Sequence, residues 1–329
     1  MPNRSQPIAP MHIGTSLAAW ARFRDRFASY RDAIPVTEAI RQAATISGIE
    51  GVDVSRGYMP EDIRPVKEVL QEVNLQVSAV GTALSKDPRT VRGTFSSEDP
   101  EVRQLTVGIV KECMDIAVEL GTDKVLLWFG QDGYDYHFEM DYATRWGRLV
   151  EGLRECAQHR KDVRICIEYK AREPKLHQLV NSAAVALVLI DDVGEDNVGV
   201  LFDVGHALLA DEILAEAAVM LARRGKLWHI HLTDNYFHAD SDLVPGVVHT
   251  MAFVELFFWL RRLGYDEFVS YDAVAMTHDP RRVIAECVRY TQALAAVADR
   301  MNVEEVNKAF VAGDAPGGLA LAREALFQM

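Results

Sequence analysis

The sequence predicts an α/β protein folded as a parallel (β/α)8 barrel with a C-terminal helical extension. Three observations carry that expectation. Short β-branched runs recur eight times, stretches of helical periodicity separate them, and no Pro/Gly/Ser-rich linker or shift in composition divides the chain between Met11 and about Met301.

The runs are MHIGTSL (11–17), IEGVDV (49–54), LQVSAV (75–80), DKVLLWF (123–129), VRICIEY (163–169), NVGVLFD (197–203), LWHIHLTD (227–234) and EFVSYD (267–272). Between the third and fourth, Val102, Leu105, Ile109, Cys113, Ile116 and Leu120 follow one another at three- and four-residue steps, the spacing of one helix face. Gly121 then stands where a helix end needs a residue that tolerates positive φ, and Asn74 and Gly264 close two further helices. The helix around Phe253, Leu256, Phe257, Trp259 and Leu260 is apolar on most faces, so deep burial is expected there. Each parallel crossover needs about a dozen residues, and every interval has room for one. A doubly wound open sheet is the structural alternative.

Residues 11–300 read as one catalytic barrel domain. Residues 301–329 fall outside the eight units and contain GDAPGG before an Ala/Leu-rich helical ending, either a surface tail or an arm that packs on another subunit.

The chain has 329 residues, 49% of them hydrophobic, which is enough to bury a large core. Its 35 basic against 48 acidic side chains leave a formal charge of −13, so nucleic acid and anionic membrane surfaces are expected to be repelled. A small or metal-chelating substrate suits that balance. The opening MPNRSQPIAP has no apolar stretch behind its Arg, and the longest apolar runs fall short of the roughly eighteen residues a membrane span requires. Cys113, Cys156, Cys166 and Cys287 are scattered and form no metal or disulfide pattern. A cytoplasmic protein with reduced, packed thiols is expected.

In a barrel of this kind the C-terminal strand ends build the active site, so a polar residue closing an apolar strand is informative. Strands five to eight end at Glu168, Asp203, His231 and Asp272. Alternation places Glu168 and Lys170 on one side of strand five, with Val163, Ile165 and Ile167 on the side facing the helices. Taken singly, an acidic strand end is commonly a helix N-cap and a lone histidine a satisfied core group. Three carboxylates and an imidazole on successive strands would crowd unpaired charge into a partly dry cavity, a cost that a divalent cation removes. The oxygen-rich set suits Mn²⁺, Mg²⁺ or Co²⁺ better than a structural zinc. A second set follows: His206 in DVGH, then Asp240 and Asp242 in DNYFHADSDL. It is a candidate for a second cation, although Asp-x-Asp in a loop is also a common turn.

These residues resemble the xylose isomerase-like TIM barrels of sugar isomerases and epimerases. IEYKAREP (167–174) is similar to the strand-five motif of xylose and rhamnose isomerases, whose Glu binds metal and whose Lys, two residues later, binds the substrate's terminal oxygen. LWFGQDGYDY (127–136) resembles the strand-four segment that walls the sugar pocket. FDVGHAL matches the strand-six Asp-x-x-His pattern, and HLTDNYFHADSDL looks like the rhamnose isomerase strand-seven segment. The resemblance implies a first cation held by Glu168, Asp203, His231 and Asp272, and a second by His206, Asp240 and Asp242. It further implies Lys170, Glu168 and Asp272 as catalytic groups, with Trp128, Phe129 and His206 against the substrate. Two features depart from the pattern. The segment from His231 to Asp240 is one residue longer than in rhamnose isomerases, and no His lies between His12 and His137 where xylose isomerases place a ring-opening one.

The implied activity is a metal-dependent aldose–ketose isomerisation by hydride shift in carbohydrate metabolism. Manganese is the first choice of metal, with one or two ions per chain in a homo-oligomer. The nearest alternative is single-metal proton transfer, as in ketose 3-epimerases and dehydratases, with Glu168 and Asp272 flanking the reacting carbon. Another is the catalytic subunit of a C-glycoside-cleaving heterodimer, which needs a small partner chain. Abasic-site DNA repair fits poorly with the acidic charge, and a non-catalytic scaffold should have lost a ligand that this chain keeps.

Overall fold

Eight parallel strands close on themselves: β1 (His12–Ser16), β2 (Gly51–Ser55), β3 (Gln76–Gly81), β4 (Lys124–Trp128), β5 (Arg164–Glu168), β6 (Val198–Asp203), β7 (Leu227–His231) and β8 (Phe268–Tyr271). The ring closes where His12 of β1 pairs with Phe268 of β8 and Thr15 with Tyr271, so the open-sheet alternative does not apply. The computed structural model describes residues 11–25, 27–274 and 276–328; the opening MPNRSQPIAP and the final Met329 lie outside them.

Around the barrel run α1 (Val36–Ala44), α2 (Arg64–Val73), α3 (Pro100–Glu119), α4 (Tyr142–His159), α5 (Ala183–Val193), α6 (Val204–Leu209), α7 (Leu214–Arg223), α8 (Thr250–Leu263) and α9 (Pro280–Arg300). Helix ends follow local chemistry. Asp99, Asp141, Ser182 and Asp279 cap α3, α4, α5 and α9 by accepting hydrogen bonds from free backbone N–H groups. Asn74, Gly121 and Gly264, with φ of 54°, 78° and 67°, turn the chain out of α2, α3 and α8, as expected. Phe253, Val254, Leu256, Phe257, Phe258 and Leu260 of α8 are all buried.

Alternation along the strands separates two cores. Val163, Ile165 and Ile167 join the large apolar layer between sheet and helices, whereas Ala79, Leu126, Cys166 and Leu201 form a small cluster in the barrel interior, with Trp228 packed on it. Registers across β4 and β5 show the interior in layers: Lys124 opposite Arg164, Leu126 opposite Cys166, Trp128 opposite Glu168. Near the N-terminal end, Glu267 accepts from Lys124 Nζ at 2.6 Å and from Arg164 Nη1 at 2.6 Å. Between the two ends the β3 to β6 side is apolar, and the C-terminal end carries the predicted site residues.

Two register shifts break this regularity. One, between Val52 and Asp53 opposite β3, leaves Ser78 without a partner; the other, between Val200 and Leu201 opposite β7, does the same for Trp228. Trp228 then lies against Gly199, where a Cβ would stand 2.3 Å from its ring.

The C-terminal extension forms α10 (Val303–Ala312) and α11 (Ala315–Phe327). Phe310 stacks on Trp259 of α8, with centroids 6.0 Å apart, and Arg300 Nε donates to Ala325 O at 2.9 Å. All four cysteines are free and buried, and among the described residues no helix is long and apolar enough to cross a membrane.

Candidate active site

At the C-terminal end of the barrel the four predicted strand-end residues meet. His231 Nδ1 lies 3.8 Å from Glu168 Oε1, 3.8 Å from Asp203 Oδ2 and 3.9 Å from Asp272 Oδ2. One ligand atom from each of the four lies within 4.8 Å of all the others. These separations are too long for hydrogen bonds, and Nδ1 is buried without a hydrogen-bond partner. A buried imidazole nitrogen facing three carboxylates is what a divalent cation would satisfy; among the described residues no hydrogen-bond partner meets it.

Each candidate ligand is held by its element. Asp203 divides its carboxylate: Oδ1 caps α6 by accepting from His206 N at 3.0 Å and takes Thr233 Oγ1 at 3.2 Å, while Oδ2 faces His231. It is therefore both a helix cap and a candidate ligand. Thr233 reaches it because position 205 is glycine, where a Cβ would come within 2.3 Å of Thr233 Oγ1. Asp272 follows the last residue of β8 directly. His231 Nε2 points the other way, 3.2 Å from Asp53 Oδ2.

A second group surrounds Asp240. Its Oδ2 accepts from Lys170 Nζ at 2.9 Å and lies 3.0 Å from His206 Nε2, while its Oδ1 is buried without a hydrogen-bond partner. His206 Nδ1 lies 3.0 Å from Tyr169 O, which accepts its proton. The loop after β7 brings Asp240 here because Asp234, fully buried, ties the loop to itself. Asp234 accepts from Val248 N at 2.8 Å and His249 N at 3.0 Å, and its backbone bridges Leu243. Asp242 turns through φ 46°, and its carbonyl accepts from Val274 N at 3.3 Å. Among the described residues, the groups of three or more candidate ligands within 4.8 Å are Glu168, Asp203, His231 and Asp272, and Asp53, His229 and His231.

Lys170 Nζ sits 5.5 Å over the Trp128 ring. Trp128 Nε1 is buried without a hydrogen-bond partner. Phe129, the next residue, points into the packed layer and lies edge-on to Phe95 at 6.0 Å.

The electrostatics show a cavity short of positive charge. Burial, reinforced by Glu168 and Asp203, pushes Asp272 up to about 7. Burial and the charges of Asp240 and Asp272 hold Asp242 well above the usual carboxylate range, and burial with Asp240 and Glu168 raises Asp203. Burial would also raise Glu168, but His231 outweighs it and holds the carboxyl below its usual value. The histidines respond in the opposite sense: burial disfavours their charge, yet Asp203 and Asp240 push His206 up to about 9, and Asp53 and Glu168 lift His231 well above its ordinary value. Lys170 is raised although burial opposes it, because Asp240, Asp242 and Glu173 surround it.

Asp53 is the site residue that sequence reasoning missed. Its signal was present, as a charge between Val52 and Val54 in the run IEGVDV, but a mid-strand position gave no hint that it reaches across the barrel.

A family described as xylose isomerase-like TIM barrel matches residues 40–294. The xylose isomerase of Thermus thermophilus is 28% identical over 243 residues, covering 70% of this chain and 63% of that relative. The chain thus spans under two thirds of that protein's length. Among solved structures, an L-ribulose 3-epimerase superposes with a TM-score of 0.70 at 19% identity, covering 88% of this chain and 96% of the other. A 3-keto-D-glucoside 4-epimerase from E. coli superposes with a TM-score of 0.67 at 18% identity, covering 86% and 99%.

Proposed function

The chain belongs to the xylose isomerase-like TIM barrel family, and from that premise we propose that it is a divalent-metal-dependent sugar isomerase interconverting an aldose and its ketose. The observation that carries this reading is His231 Nδ1, buried and unpartnered, with Glu168, Asp203 and Asp272 at 3.8 to 3.9 Å. Three oxygens and one nitrogen suit Mn²⁺, Mg²⁺ or Co²⁺. A bound cation would supply Lewis-acid polarisation of neighbouring sugar oxygens.

The chain's own groups would do the rest. Lys170, held as a cation by Asp240, would donate a hydrogen bond to the carbonyl oxygen as charge develops on it. Its raised value makes it a donor and not a base. Trp128 would wall the reacting carbons and exclude water. His206, Asp240 and Asp242 would hold a second cation, for which the unpartnered Asp240 Oδ1 is the free ligand atom. The xylose isomerase relatives support the isomerase reading.

A second reading is a single-cation epimerase, in which Glu168 and Asp272 remove and return a proton at one carbon. It is favoured by Asp240 Oδ2 being taken already by Lys170 and His206. A screen of free aldoses and ketoses with Mn²⁺ in deuterated water tests the two. Interconversion at C1/C2 without solvent deuterium in the product supports the isomerase. Deuterium entering C3 supports the epimerase, and absence of turnover on every sugar with Mn²⁺ bound contradicts both.

A further inference from the structure

We propose that Asp53 is the positioning residue of this centre, holding His231 so that Nδ1, and not Nε2, is the nitrogen offered to the cation. The inference rests on the reading that Glu168, Asp203, His231 and Asp272 hold a cation, and it adds a residue on the opposite side of the barrel. Going round the ring, β2 and β7 are separated by β1 and β8, so the contact between Asp53 and His231 crosses the interior.

The geometry is convergent. Asp53 Oδ2 lies 3.2 Å from His231 Nε2 and 3.4 Å from His229 Nε2. Its other oxygen accepts from Ser78 Oγ, the residue left unopposed by the register shift beside Asp53. An ionised carboxylate only accepts hydrogen bonds, so the Nε2 that approaches it carries the proton. A neutral imidazole protonated on Nε2 has its lone pair on Nδ1, the nitrogen that faces the three carboxylates without a partner. His229 packs edge-on to His231, with centroids 5.3 Å apart and planes at 78°, and blocks rotation of the ring. Asp53 is 4% exposed. A carboxylate buried this deep is costly unless its partners need it, and one partner here is a candidate ligand.

The test measures Mn²⁺ binding to the metal-free protein, from the resonance of free Mn²⁺, for the parent, Asp53→Ala and Asp53→Asn. Loss of a hydrogen-bonding partner behind a metal-bound histidine weakens affinity about 10- to 100-fold. That loss is expected for Asp53→Ala, with partial recovery in Asp53→Asn, which keeps an acceptor oxygen. In parallel, the ¹⁵N shifts of the Zn²⁺-loaded parent should show His231 protonated on Nε2 and ligated through Nδ1, a signature that a purely structural Asp53 would not set. Unchanged affinity in both variants, or ligation through Nε2 in the parent, overturns the proposal. If Asp53→Ala does not fold, Asp53→Asn and the parent's nitrogen shifts decide. A parent that binds no Mn²⁺ overturns the underlying reading as well, and so is distinguishable from failure of the Asp53 role alone.

Discussion

Lys170 Nζ lies 2.9 Å from Asp240 Oδ2, a pairing that joins the end of β5 to the loop after β7 across 70 residues of sequence. The contact keeps a cation at the barrel mouth and limits what else can bind Asp240. Neutralising the lysine should therefore impair chemistry more than metal binding. Lys170→Gln is expected to lower kcat about 10²- to 10³-fold, in the range for loss of one preorganised donor. Mn²⁺ affinity at the four-residue centre should change only a few-fold, as steady-state kinetics and a metal titration on the same preparation would show.

Asp240→Asn combined with Asp242→Asn separates the two groups of ligands. The double variant should lose C1/C2 interconversion and still bind one cation per chain at Glu168, Asp203, His231 and Asp272. Elemental analysis beside the sugar assay checks this, and undiminished turnover would contradict a role for the second group.

His231→Ala removes the nitrogen at the centre of the site. In the parent, Mn²⁺ at about 100 times its Kd should add roughly 2.7 kcal/mol of stability, because it binds only the folded chain. The variant should show no Mn²⁺-dependent rise in Tm, as thermal unfolding with and without the metal will reveal.

At the other end of the barrel, Glu267 joins Lys124 and Arg164. Burial opposes its charge, but these two cations hold its carboxyl below the usual range. A lowered native value means the contribution is complete above the unfolded value of about 4.3 and is lost as pH falls through the native one. Glu267→Gln should cost about 2–3 kcal/mol at neutral pH. That is less than a fully buried pair would lose, since Glu267 keeps some solvent contact. The gap between parent and variant should close on acidification, as denaturant melts across pH 2 to 7 would measure.

The strands and the candidate ligands at their ends were legible because both depend on local pattern. β-branched runs mark strands, and a charge or imidazole closing each of four successive apolar runs is a pattern that helix capping alone does not produce; Glu168, Asp203, His231 and Asp272 were found this way. What escaped depends on which residues face each other across the closed ring. Asp53 sits beside a register shift, where simple alternation no longer says which way a side chain points. Its partner His231 is 178 residues away. Asp203 shows a subtler limit. The helix-cap and ligand readings of a strand-end acid look like alternatives in a sequence, yet here Oδ1 caps the helix while Oδ2 stays facing His231. Phe129 illustrates the reverse: it neighbours Trp128 in the motif, but strand alternation turns it into the packed layer against Phe95.

The central claim is that a divalent cation sits against His231 Nδ1. The most direct measurement is anomalous diffraction at the manganese edge from crystals grown with Mn²⁺. The account predicts a peak about 2.0–2.3 Å from His231 Nδ1 and from carboxylate oxygens of Glu168, Asp203 and Asp272, within the usual range of metal–ligand distances. Crystals containing Mn²⁺ with no peak between these four residues would contradict it.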